Sequence, residues 1–150
     1  NEAIEYFSEM NKNKILDKLN ILKNVGLGYI KLGQSSSSLS GGEAQRIKLA
    51  YFLSMRSKSK NGLFLFDEPT TGLHFDDIKK LLISINSLVD MGNSVILIEH
   101  NMELVKCSDH IIDLGPKGGN HGGKVLFSGD IKKYLNKKFP TANYLEKVYK

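Results

Sequence analysis

Three groups of residues in this chain have types and spacing suited to phosphate chemistry, and they stand in one order. Leu39-Ser40-Gly41-Gly42-Glu43-Ala44-Gln45-Arg46 comes first, Leu63-Phe64-Leu65-Phe66-Asp67-Glu68-Pro69 follows, and Ile98-Glu99-His100 comes last. A Ser-Gly-Gly turn that opens a helix offers an anion unpaired backbone N–H groups, a hydroxyl and the positive end of the helix dipole. An apolar strand ending in Asp67-Glu68 can hold a magnesium-bound water with the first carboxylate and a nucleophilic water with the second. A histidine at the end of the next strand can reach a terminal phosphate.

Each group also has a plain structural reading. Ser40 and Glu43 have the spacing of a capping box, worth about 1 kcal/mol at a helix start. Two glycines inside that cap weaken the helix by roughly 0.8–1 kcal/mol each relative to alanine, so the pair implies close approach to the backbone, and a phosphate is the natural candidate. Asp67-Glu68 could be an acidic turn, but adjacent carboxylates at the end of a buried strand call for a cation. His100 alone reads as an ordinary strand-end histidine; its place one strand–helix–strand unit after Asp67-Glu68 brings it to the same edge. Gly118-Gly119-Asn120-His121-Gly122-Gly123-Lys124 spells a P-loop, but Val125 stands where Ser or Thr must ligate magnesium, and Val125-Leu126-Phe127 reads as a strand. A hairpin-type turn is the better reading there.

These groups need an α/β frame. Residues 1–24 read as helix, broken near Asn11–Asn13, with Ile15, Leu16, Leu19 and Leu22 on one face and Gly26 as the stop. The polar loop Gly33 to Ser38 leads to a helix from Ser40 to about Met55, closed by the basic turn 56–62. Leu63 to Phe66 reads as a strand buried on both faces of a parallel sheet. Asp76 to Asp90 reads as a helix with Ile78, Leu81, Leu82, Ile85, Leu88 and Val89 at helical spacing, and Val95 to Ile98 as a second strand. That crossover implies parallel pairing, with ligands at the carboxyl edge. A short helix from Met102, strands at Ile111–Leu114 and Val125–Phe127 and a basic helical tail complete the expected fold, a partial P-loop NTPase-like α/β domain of mostly parallel strands flanked by helices.

The chain has 150 residues, 41% hydrophobic and 25% charged, which suits one domain, and a net charge of +5 that admits an acidic partner such as DNA. Lys132-Lys133 and Lys137-Lys138 read as solvated faces. One cysteine, Cys107, forms no internal disulfide, and no Cys-x-x-Cys pair offers a zinc site, which suits a reducing cytoplasm. No apolar run approaches the roughly 20 residues of a membrane span.

The order of the three groups resembles the signature, Walker B and switch-histidine half of an ATP-binding-cassette (ABC) ATPase, without the Walker A half. Within that family, Leu27-Gly28-Tyr29-Ile30-Lys31-Leu32-Gly33-Gln34, Pro69-Thr70-Thr71-Gly72-Leu73-His74 and Ile111-Ile112-Asp113-Leu114-Gly115-Pro116 are similar to the UvrA family, in the carboxyl-terminal part of its second nucleotide-binding module. ABC transporters commonly read Ser-Ala-Leu-Asp where this chain has Gly72-Leu73-His74.

The resemblance implies roles residue by residue. Ser40, Gly41 and Gly42, with Glu43 and Gln45, would bind an ATP whose Walker A belongs to the opposing module. Asp67 would orient Mg²⁺ through water, Glu68 would position or deprotonate the attacking water, and His100 would sense the γ-phosphate. Gly72, Leu73 and His74 would form the D-loop. Implied partners are the remainder of a longer polypeptide, a second full-length copy, UvrB and damaged double-stranded DNA in nucleotide excision repair, with no membrane; Zn²⁺ is expected only in parts of the family outside these residues. By itself the chain is expected to be inactive. Two other classes share the motifs: a cassette ATPase serving transport or chromosome maintenance, and a non-catalytic scaffold that uses the capping box structurally.

Overall fold

A computed structural model describes residues 1–55, 61–119 and 122–149; the expected basic turn at 56–60 and the tip of the glycine-rich turn at 120–121 lie outside them. The chain divides into two compact units, Asn1–Glu99 and His100–Lys150, where its length had suggested one.

The first unit opens with α1 (Glu2–Glu9) and α2 (Asn13–Leu22), broken where Asn11 takes φ +54. Neither helix has a fully buried residue, and Ile15, expected on the packed face, is exposed. After α2 the chain makes one wider turn over Lys23–Leu27, and Val25, Gly26 and Leu27 are buried there. Gly26 has φ +80, a backbone conformation that favours glycine, and a Cβ on it would lie 3.0 Å from the end of the Leu73 side chain. The serine run forms a short 3₁₀ turn, Ser36–Ser38, before α3 (Gly41–Ser54).

Strand β1 (Leu63–Asp67), helix α4 (Phe75–Asp90) and strand β2 (Ser94–Ile98) form the expected crossover, with β1 and β2 parallel in a register running from Leu63 beside Ser94 to Asp67 beside Ile98. Core residues Val25, Leu27, Leu49, Ala50, Phe66, Leu81, Ile85 and Leu88 join the turn, α3, β1 and α4. Val89, expected on the packed face of α4, is exposed.

The sheet is covered on one side only. Phe64, Phe66, Val95 and Leu97 face the core, whereas Leu65 is 65% and Ile98 58% exposed, with Leu63 and Ile96 beside them. An apolar run is written for burial on both faces, and among the described residues of the first unit one face is packed.

In the second unit, α5 (Met102–Val105) precedes an antiparallel pair, β3 (His110–Gly115) and β4 (Lys124–Asp130), followed by α6 (Ile131–Leu135) and α7 (Pro140–Tyr149). Lys124 starts β4, so the P-loop spelling leads into a strand and no helix follows it, as its Val125 implied. Ile131, Tyr134, Ala142 and Leu145 form this unit's core. Tyr134 is fully buried, and its hydroxyl donates to Asp113 Oδ2 at 2.5 Å. Lys132, Lys133, Lys137 and Lys138 are exposed, as a solvated face requires. Among the described residues no helix is long and apolar enough to cross a membrane.

Candidate functional site

The site is built on α3 and on the turn that leaves β1. Ser40 caps α3: its Oγ accepts from Glu43 N at 3.2 Å, and Glu43 Oε2 accepts from Ser40 N at 2.7 Å, closing the capping box. Glu43 Oε1 also accepts from the Tyr29 hydroxyl at 2.5 Å. That bond, first, and those with Ser40 hold the Glu43 carboxyl below its ordinary range; desolvation and then the neighbouring carboxylate raise the Tyr29 phenol. The glycines following the cap differ from each other. Gly41 is exposed and faces open space, so a ligand can approach its backbone. A Cβ on Gly42 would lie 3.2 Å from Arg46 Nη1 and 3.6 Å from the Thr71 carbonyl. Packing within the protein therefore also favours glycine at position 42.

The turn 67–71 is held from several directions. Gln45 Oε1 accepts from Asp67 N, and Gln45 Nε2 donates to Asp67 O, each at 3.0 Å. Arg46, 1% exposed, donates from Nη1 to the Pro69 carbonyl at 2.8 Å and the Thr71 carbonyl at 3.3 Å. Its buried Nε has no hydrogen-bond partner among the described residues. From the residue after β2, Glu99 Oε1 accepts from Thr70 N at 3.0 Å and Oε2 from Thr70 Oγ1 at 2.9 Å. Glu68 N donates to Ile98 O at 2.8 Å.

Within this frame Asp67 and Glu68 are both exposed at the carboxyl edge of β1, where ligands bind in open α/β sheets. Glu68 adopts φ +47, a left-handed conformation uncommon outside glycine and concentrated at functional sites. Thr71 Oγ1 lies 3.4 Å from Glu68 Oε2. His74 caps α4 through its backbone, and Leu73 packs on the core. Two exposed carboxylates in series are a donor set that fits Mg²⁺, which takes one or two carboxylates, keeps waters and completes its shell with substrate phosphates. His100 is exposed and begins the second unit, directly after Glu99.

Within the first unit, Gln45, on the helix that Ser40 caps, is hydrogen-bonded to Asp67, and Glu68 N is bonded to Ile98 O. Sequence reasoning attached no role to Arg46, Thr70, Glu99 or Tyr29. Arg46 and Glu99 lay inside the quoted motifs, but their partners are 23 and 29 residues away.

Comparison with known proteins bears on what this frame is. The UvrABC system protein A of Clostridium acetobutylicum is 53% identical over 148 residues, 98% of this chain. The chain belongs to the UvrA family. It spans about 15% of the length of the curated UvrA relatives it matches. The crystal structure of UvrA2 from Deinococcus radiodurans superposes with a TM-score of 0.82 at 42% identity, covering 97% of this chain and 18% of UvrA2. A bacterial Atm1-family ABC exporter with ATP bound gives a TM-score of 0.58 at 19% identity over 89% of this chain and 23% of its own, which shows a shared fold. No family model matches the chain. The UvrA likeness takes in both units, and the expected α/β cassette architecture is the one found.

Proposed function

We propose that this chain forms the signature, Walker B and switch-histidine half of an ABC-type nucleotide-binding module, the carboxyl-terminal part of the second module of a UvrA protein. In the complete protein it takes part in ATP binding and hydrolysis coupled to recognition of damaged DNA. The observation that carries this reading is the joining of α3 to the Asp67–Thr71 turn through Gln45 and Arg46, in a chain 53% identical to UvrA.

Phosphoryl transfer depends on positioning and on electrostatic stabilisation. Gly41 N–H and the start of α3 face the γ-phosphate of an ATP whose P-loop lies on the opposing module, with Ser40 Oγ beside them. Glu43 and Gln45 act differently from simple phosphate contacts: Glu43 closes the cap, and Gln45 brackets Asp67. Asp67 would hold a magnesium-bound water, where a bound Mg²⁺ would supply charge neutralisation. Glu68 orients or deprotonates the attacking water, His100 contacts the γ-phosphate of its own module's ATP, and Gly72–His74 communicate across the module interface. UvrB, duplex DNA carrying a lesion, and a second copy of the full protein are the partners this reading implies, in the cytoplasm. Zn²⁺ binds in other parts of the family's polypeptide.

Calorimetry of Mg-ATP with the 150-residue chain, beside a complete UvrA as control, tests the trans arrangement. Heat of binding is expected from the complete protein alone. Tight binding by the chain would contradict it and direct attention to the Gly118–Lys124 loop.

A further inference from the structure

We infer that Glu99, acting through Thr70, is a positioning residue for ATP hydrolysis: it holds the turn that places the Glu68 carboxylate. The inference rests on the reading of Glu68 as the group that handles the attacking water.

Glu68 has φ +47, a conformation that is strained for a non-glycine residue and persists only where its surroundings impose it. Before Glu68, Gln45 engages both backbone groups of Asp67. After it, Arg46 binds the carbonyls of Pro69 and Thr71. Those two side chains come from one helix and leave the N–H and hydroxyl of Thr70 to be satisfied from the other side. Glu99 does this with both carboxylate oxygens, at 3.0 and 2.9 Å. The Ile98 carbonyl, one residue earlier on β2, takes the Glu68 N–H at 2.8 Å. The end of β2 therefore grips the turn on both sides of Pro69.

A carboxylate suits this place because it only accepts, and two charge-assisted bonds to a single residue fix orientation as well as distance. Thr70 is 7% exposed, so water is a poor substitute for the lost partner. With Glu99 gone, the turn loses its restraint on the β2 side and Glu68 can relax toward ordinary φ, carrying its carboxylate away from the water. One Glu99 oxygen accepts from the Thr70 N–H and the other from its hydroxyl, so Glu99 acts on the turn through Thr70.

The test measures steady-state ATP hydrolysis in a complete UvrA carrying this segment, with hydrolysis at the opposing module's site silenced so that turnover reads this one, and with Glu99→Ala, Glu99→Gln, Thr70→Val and, alongside, Glu68→Gln. Glu99→Ala is expected to lower kcat about 10- to 100-fold while KM for ATP stays within about twofold. Glu99→Gln keeps an oxygen for Thr70 N and an amide that can donate to the hydroxyl, and should recover kcat to within about threefold of the parent. Thr70→Val keeps the branched shape without the hydroxyl and should lose about 3- to 10-fold in kcat; it decides the matter if Glu99→Ala does not fold. Parental kcat in Glu99→Ala or Thr70→Val, a rise in KM that matches the fall in kcat, or failure of Glu99→Gln to recover activity would each overturn the inference. A Glu68→Gln protein with parental turnover would overturn the reading of Glu68 and this inference with it. An inactive Glu68→Gln beside a fully active Glu99→Ala would overturn the role of Glu99 alone.

Discussion

Arg46 donates a hydrogen bond of 2.8 Å to the carbonyl of Pro69, which joins α3 to the turn that follows β1. The first turn of that helix presents Ser40 and Gly41, and the next carries Gln45 and Arg46, which hold Asp67, Pro69 and Thr71. One rigid helix thus connects the anion-facing end of the signature segment with the backbone that carries Glu68.

Arg46→Lys replaces the Nη1 group that donates to both the Pro69 and Thr71 carbonyls with an ammonium on a shorter side chain. The variant is expected to be less stable by about 1–3 kcal/mol, the cost of leaving a buried polar group unsatisfied. Urea unfolding should show a lower midpoint at unchanged slope. An unchanged midpoint would mean that the Arg46 bonds contribute nothing.

Tyr29→Phe removes the first cause of the lowered Glu43 pKa, so the Glu43 carboxyl should move up toward its ordinary 4.5. With a depressed folded-state value, the stabilisation from Glu43 is fully present above the unfolded value and is lost as pH falls through the folded one. Carboxyl titration by NMR on parent and variant reads this directly. An identical Glu43 titration in both would contradict the Tyr29 bond.

The exposed sheet face of Leu63, Leu65, Ile96 and Ile98 should make the 150-residue chain, taken alone, self-associate. Sedimentation velocity is expected to show species larger than a monomer at high concentration. Leu65→Lys should shift the distribution toward monomer, since it places a charge in the middle of the face. A monodisperse parent would contradict the expectation.

Much of the frame was legible in the residues themselves. The Ser40/Glu43 spacing marked the start of α3, and the two apolar runs separated by a helix-period segment gave the parallel β1–α4–β2 crossover. Four features were not legible, each for a physical reason. An apolar run such as Leu63–Phe66 records that a strand is built for burial on both faces, but not that the same chain covers both. The approach of Arg46 and Thr71 to Gly42 depends on tertiary packing. The bonds of Gln45, Arg46 and Glu99 to the 67–71 turn join residues 22 to 29 apart in sequence, beyond the reach of local periodicity. The left-handed backbone at Glu68 follows from that packing and from no local signal.

The central claim is that the turn after β1 carries the hydrolytic chemistry, and Glu68→Gln in a complete UvrA tests it most directly. The substitution keeps shape and hydrogen bonding but removes the base. Nucleotide binding and single-turnover hydrolysis measured on the same preparation should show ATP bound with near-parental affinity and hydrolysed about 10²–10⁴-fold more slowly. Hydrolysis at the parental rate would contradict the account.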